Sequence, residues 1–282
     1  MGTYALPEER IKSYAIFSIA NGAAFIAGLP IGGILIDNVG FFYTFLLCFV
    51  VSAASILYSY TYIKDYDGFK IATNAQQLVN PFKIGKIPGL ASAILCLGFP
   101  VRFLYTALIP VFEPLFLESL GNSMSVIGRV MMIFGILMFC LSPITHVLVG
   151  FFKKTRTSMS MCVFLLIAAL LYQFNFPTTL GASVAIALLS IGLVVHMSSI
   201  MAILEEIAAA SNQEDARGSV IGLYFTYERI AMVCGPLVTS FLIGYAGYEK
   251  TLLILAIFLA ITHLMYYVLN FKKYNPLQGA QK

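Results

Sequence analysis

Five ionisable side chains and a tyrosine sit where nearly every neighbour is apolar: Arg102, Tyr105 and Glu113 in one run, His196 in a second, Glu228 and Arg229 in a third. Ionisable groups at such positions are expensive to keep in a membrane and are functional candidates for that reason. On an α-helix, Arg102 and Glu113 are eleven residues apart, which places them on one face about 16 Å from each other, with Tyr105 and Thr106 one turn from the arginine. Arg102 follows Lys86 by sixteen residues, about 24 Å of helix, which is longer than an arginine can snorkel if Ile87 lies at the interface. Glu228 follows Arg217 by eleven residues, about 16 Å, a depth comparable with that of Arg102 if the arginine's helix projects by a turn or two. An ion pair between the two helices is therefore predicted, against the alternative of an arginine that reaches solvent or serves packing alone. Arg229 points about 100° away from Glu228, so the two cannot share one partner. Glu113 has Arg129 as its predicted partner, in a structural pair. His196, with Ser198 and Ser199 close by, has two readings: a group that binds substrate or shuttles a proton, and an interior histidine whose hydrogen bonds are satisfied.

These groups suit recognition of a charged solute or uptake of a proton. Other chemistries have no sequence basis. There is no HExxH, no GxSxG, no GxxxxGK, and no cluster of Cys, His and carboxylate at ligand spacing, so no cofactor or metal is expected. The five cysteines (Cys48, Cys96, Cys140, Cys162 and Cys234) lie in apolar runs without CxxC spacing and read as buried thiols. His146 and His263 lack charged company and are assigned no role.

The elements that must hold these residues follow from composition. Of 282 residues, 60% are apolar and 11% charged, and the mean hydropathy is +0.89. A soluble chain carries about 25% charged residues, so most of this surface must face lipid or protein. An all-α polytopic membrane protein is the fold class implied, and soluble enzymes, nucleic-acid binders and disulfide scaffolds are excluded. Apolar runs closed by Gly, Pro or charge predict eight spans: Ser13–Ile36, Phe41–Ile63, Ile87–Leu117, Val126–Phe151, Ser158–Phe174, Leu180–Ile207, Gly218–Gly244 and Thr251–Asn270. Residues 1–63 are then a pair of helices, 64–86 a basic loop, 87–271 a six-helix bundle and 272–282 a tail.

Basic residues give the sidedness. Thirteen of them lie in alternate connections: Arg10, Lys12, Lys64, Lys70, Lys83, Lys86, Lys153, Lys154, Arg156, Arg217, Lys272, Lys273 and Lys282. The opposite side has only Lys250 and Arg129. Cytoplasmic loops retain Lys and Arg, so both termini are predicted to be cytoplasmic and the membrane to be the plasma or inner membrane. Glu205 and Glu206 fall at the cytoplasmic rim near Arg217.

In the first span Ala20, Ala24, Gly28 and Gly32 recur every fourth residue, a small-residue stripe along which another helix can approach closely. Pro30 in its last turn favours a bend. The stretch Pro7-Glu-Glu-Arg10, Gly22, Gly28-Leu-Pro30-Ile-Gly32-Gly33 and Asp37-Asn-Val-Gly40 resembles the fifth helix of the major facilitator superfamily and the connection before it. There a GPxxGG segment packs at the interface of two halves. Gly28, Gly32 and Gly33 match, while Leu29 stands in place of the motif proline. Arg217-Gly218-Ser219-Val220-Ile221-Gly222, followed by Gly235-Pro236 and Gly244, resembles the eleventh helix and its preceding loop. Leu117-Glu-Ser-Leu-Gly121 with Ile127-Gly128 resembles the seventh-to-eighth connection, and Lys153-Lys154-Thr155-Arg156 the eighth-to-ninth, without its acidic member.

The resemblance implies an incomplete major-facilitator fold, lacking four N-terminal helices, in a fragment or a reduced relative. It implies a secondary transporter that moves a small solute by alternating access in the lipid bilayer, with proton coupling through Glu228 or Glu113 as one form. It also places His196 on the helix that lines the central cavity. The alternative is a non-transporting sensor or scaffold module of the same fold. Neither reading involves an enzyme or a nucleic acid.

Overall fold

A computed structural model describes residues 7–62, 87–141, 144, 155–210 and 216–270; within them the side chains of residues 7–22, 25, 216 and 217 lie outside the description. All long elements are helices: α1 (Pro7–Tyr62), α2 (Leu90–Ser119), α3 (Met124–Leu141), α4 (Thr155–Asn175), α5 (Thr179–Ala209) and α6 (Ala216–Leu269). Each of the six contains a stretch long and apolar enough to cross a membrane. Helices are forced on such a chain because backbone N–H and C=O groups have no water to bond in lipid.

Two of the helices exceed what one crossing needs. The apolar parts of α1 and α6 run to 37 and 52 residues, against about 20 for the hydrocarbon core. Each is interrupted once, at Gly40 (φ 81, ψ 169) and at Gly247 (φ 80, ψ 172). A positive φ with extended ψ is open in practice only to glycine. The sequence predicts a short loop at each place, and one glycine performs that break.

Helix α2 is the most enclosed span and the least regular. Two π-helical segments, Ile94–Gly98 and Leu108–Phe112, interrupt it. Its apolar face joins Leu166, Leu170, Ile186, Leu189 and Leu255 from α4, α5 and α6 in one core, while Leu90, Ile94 and Leu97 join a second with Ile203, Leu204 and Tyr224. The part of α1 after Gly40 is almost wholly exposed, with Phe42, Phe45, Phe49 and Ile56 pointing outward.

Helix α1 packs on α3. A Cβ placed on Gly33 would come within 2.2 Å of the Met124 carbonyl oxygen, and one on Gly128 within 2.5 Å of the Leu29 carbonyl oxygen. Asp37 caps the start of α3, its two carboxylate oxygens accepting from the backbone N–H of Met124 at 3.1 Å and of Ser125 at 2.7 Å. The contact line therefore runs through Leu29 and Gly33. Gly28 and Gly32 have open space where a side chain would stand, and Ala24 is exposed. This corrects the predicted stripe: Gly33 is adjacent to Gly32 and so about 100° around the helix from it.

Two further expectations change. Cys48 and Cys140 are exposed, Cys234 is half-buried, and only Cys96 and Cys162 are buried, all with free thiols, because an apolar span can face lipid instead of protein. Helix α3 is described to Leu141, short of the predicted Phe151. The loop 64–86, the tail 272–282, His146, Lys153, Lys154, and the side chains of Ala20, Gly22 and Arg217 lie outside the described residues or side chains.

Candidate functional site

The seam between α2 and α6 is narrow because glycines line it at two levels. A Cβ on Gly98 would meet the Tyr224 ring at 2.6 Å, and one on Gly235 would meet Thr106 Oγ1 at 2.4 Å and the Phe103 carbonyl oxygen at 2.7 Å. Pro236 follows Gly235 without interrupting the helix. Thr106 Oγ1 lies 3.4 Å from the Ala231 carbonyl oxygen, the direction of a hydrogen bond donated across the seam. Arg102 and Glu228 lie between these two levels.

There Arg102 Nε approaches Glu228 Oε1 to 3.0 Å, with side-chain exposures of 19% and 4%. The distance is that of an ion pair, although the Nε–H is not aimed at the carboxylate as a hydrogen bond. Coulomb attraction depends on separation and tolerates the misalignment. The same guanidinium lies over the Tyr105 ring at 4.8 Å and near the Met232 sulfur at 3.7 Å. Arg229 is exposed and reaches the same sulfur at 3.4 Å. Of the two adjacent charges on α6, Glu228 is buried and Arg229 exposed.

His196 is 2% exposed on α5, between Val195 and Met197, and neither ring nitrogen has a hydrogen-bond partner among the described residues. Ser199, three residues on, bonds Ser158 at 2.6 Å instead. The Tyr224 hydroxyl, one turn before Glu228, is also buried and has no partner among the described residues. Unpaired buried polar atoms are uncommon and call for a reason.

Glu113 is not part of this seam. It is fully buried and accepts at Oε2 from Gln173 Nε2 on α4 at 3.0 Å. The predicted shared face with Arg102 fails because the π segment Leu108–Phe112 lies between them. One extra residue in a turn rotates everything beyond it by roughly 100°. The predicted Glu113–Arg129 pair is absent as well, since Arg129 is exposed and donates to the Ser125 carbonyl at 3.1 Å. Glu206 accepts from the Thr155 hydroxyl at 3.1 Å.

Sequence reading passed over Gln173, Tyr224, Met232 and Gly98. Gln173 carried a usable signal, being a lone amide in an otherwise apolar span; the others owe their roles to packing alone. His263, to which no role is assigned, has Nε2 3.3 Å from Ser160 Oγ, and that hydroxyl also bonds Tyr267. Among the described residues no three His, Cys, Asp or Glu side chains converge as metal ligands. A cavity of about 210 Å³ lies elsewhere, lined by Gly89, Arg156, Ile203, Glu206, Tyr266 and Asn270.

The arrangement therefore offers a charged pair, an aromatic face and unpartnered imidazole nitrogens on three packed helices. Such a set can bind a polar solute or exchange a proton. A search of curated proteins finds no match. The family model described as Major Facilitator Superfamily matches residues 1–231 and, separately, residues 94–281. Either match covers more than half of the 282 residues, and the chain belongs to the Major Facilitator Superfamily, whose members are membrane transporters.

Proposed function

We propose that the chain moves a small polar solute by alternating access, with Arg102, Tyr105, His196 and Glu228 contacting solute or proton and Arg229 at the edge of the site. The observation that carries this reading is the pair of half-buried Arg102 with buried Glu228, beside polar atoms on Arg102, His196 and Tyr224 that have no hydrogen-bond partner among the described residues. A purely structural ion pair is expected to have its hydrogen bonds filled by the fold itself. Here bonding capacity is left over, and a solute or a proton is what it can accept. Proton coupling, in this reading, belongs to Glu228, the carboxylate that faces the arginine.

The topology proposed with it has eight spans, α1 and α6 each crossing twice about Gly40 and Gly247. Both termini are cytoplasmic, supported by the thirteen-to-two distribution of basic residues. Residues 1–63 supply two helices of the first bundle and 87–271 the second bundle.

The test is solute flux in sealed vesicles containing the protein, screened over a small-solute panel with and without a pH gradient. One solute class should accumulate when the gradient is present. Glu228→Gln should abolish gradient-driven accumulation while leaving solute binding measurable. If uptake by Glu228→Gln still follows the pH gradient, the coupling role is wrong; if no solute moves with the unaltered protein, the transport reading fails.

A further inference from the structure

Away from the charged seam, one buried pair has an incomplete hydrogen-bond count. Glu113 and Gln173 are both 0% exposed, and one bond of 3.0 Å joins Gln173 Nε2 to Glu113 Oε2. The other carboxyl oxygen, Glu113 Oε1, and the amide oxygen, Gln173 Oε1, are buried with no partner among the described residues. Each is an acceptor, and neither can satisfy the other as they stand. Exchanging the amide nitrogen and oxygen, an assignment that rests on hydrogen bonding, does not remove the shortage: the amide oxygen would then stand 3.0 Å from Glu113 Oε2, acceptor against acceptor.

Among the described residues no charge compensates the carboxyl. Ionisable groups on the surrounding helices are engaged elsewhere or exposed. Arg129 on α3 bonds the Ser125 carbonyl, and Glu118, Glu249 and Lys250 are exposed. The Tyr248 hydroxyl of α6 donates to the Leu115 carbonyl at 3.2 Å, and Tyr172, next to Gln173, packs on Phe176. Helix α5 has no ionisable residue before His196. Around them the core is apolar: Phe112 and Phe116, on the helix of Glu113, pack against Tyr248, and Leu117 and Leu170 belong to the same cluster. An ionised carboxylate with one neutral hydrogen bond is poorly placed here.

A single proton repairs the count. We propose that Glu113 and Gln173 are a proton-binding site, a neutral acid–amide pair in which Gln173 Nε2–H donates to Glu113 Oε2 and a proton on Glu113 Oε1 is donated to Gln173 Oε1. Both unpartnered oxygens are then satisfied by one O–H. Loss of that proton leaves two acceptor oxygens facing each other across α2 and α4, so release is tied to parting those helices. The π segment Leu108–Phe112 makes the pair possible by turning Glu113 toward α4. This site is separate from the Arg102–Glu228 seam and holds its proton whether or not transport is proton-coupled.

Infrared difference spectroscopy on the protein in lipid tests it. At neutral pH the spectrum of the unaltered protein minus that of Glu113→Gln should contain a protonated-carboxyl carbonyl band that moves down in D2O. Gln173→Leu should keep the band and move it to higher frequency, because the acid carbonyl loses its N–H donor. Glu113→Gln, which matches the neutral acid in shape, should melt within a few degrees of the parent, and the same difference taken in a Glu228→Gln background should be unchanged. The proposal is overturned if the difference contains ionised-carboxylate bands instead, if no protonated-carboxyl band is lost with Glu113, or if Glu113→Gln does not fold.

Discussion

Replacing Arg102 by Met, which keeps the length and apolar body of the side chain, leaves Glu228 at 4% exposure with no cation 3.0 Å away. Breaking a buried pair in this way costs about 3–5 kcal/mol. The guanidinium also lies 4.8 Å over the Tyr105 ring, a contact worth about 0.5–2 kcal/mol that goes with it. Glu228→Leu removes the other partner but leaves the arginine its ring and a side chain 19% exposed to water. Its cost should therefore fall toward the lower end of about 3–5 kcal/mol. Combining Arg102→Met with Glu228→Leu removes both charges, and an apolar pair of similar volume is commonly neutral or better than the ion pair it replaces. The double variant should thus lose no more than the milder single, so the coupling energy in the thermodynamic cycle should be at least as large as the Arg102→Met loss, roughly 4 kcal/mol or more. The assay is thermal or denaturant unfolding in lipid, where each kcal/mol shifts the midpoint by about 2–4 °C. The exchange Arg102→Glu with Glu228→Arg should recover part of the single losses. Strict additivity of the two single losses would refute the pair as an energetic unit, whatever its distance.

The glycine contacts give a contrast within one helix: Gly33→Ala places its methyl within 2.2 Å of the Met124 carbonyl oxygen and should cost about 1–3 kcal/mol. Gly28→Ala meets nothing within 4 Å and should be neutral or stabilising by up to about 1 kcal/mol; equal losses in unfolding would place the α1–α3 contact elsewhere. Gly235→Ala, aimed at Thr106 and Phe103, should lower the melting temperature and disturb the Arg102–Glu228 seam together, seen as reduced solute binding. Removing the cap with Asp37→Ala frees the N–H groups of Met124 and Ser125 and should speed hydrogen exchange at the start of α3 without changing exchange in α5. For topology, single cysteines at Ser123 and Phe176 in a cysteine-free background should react with an impermeant maleimide from outside and one at Ala75 only from inside, and the reverse pattern sinks the orientation.

The helices and their apolar character were legible in the sequence because lipid imposes one rule on every span, continuous apolarity with all backbone bonds made internally. Arg102 and Glu228 were legible for the same reason. Charge is so costly at depth that two isolated opposite charges on different helices have few ways to coexist apart from each other. What stayed hidden depends on rotation about the helix axis. Arg102 and Glu113 share a face on an ideal α-helix, and the single π segment Leu108–Phe112 separates them, sending one to Glu228 and the other to Gln173. The one local sign is Pro110 inside the segment, which removes a donor and crowds the carbonyl four residues back; Leu108, Ile109, Val111 and Phe112 are ordinary helix-core residues. The small-residue stripe failed on the same ground, since spacing defines a face but not which neighbour the face meets. Gly33, one position off the stripe, touches α3 while Gly28 and Gly32 do not. The chemistry of both buried pairs is thus written in residue types, and their partners are chosen by helix rotations of roughly 100° per residue that only packing fixes.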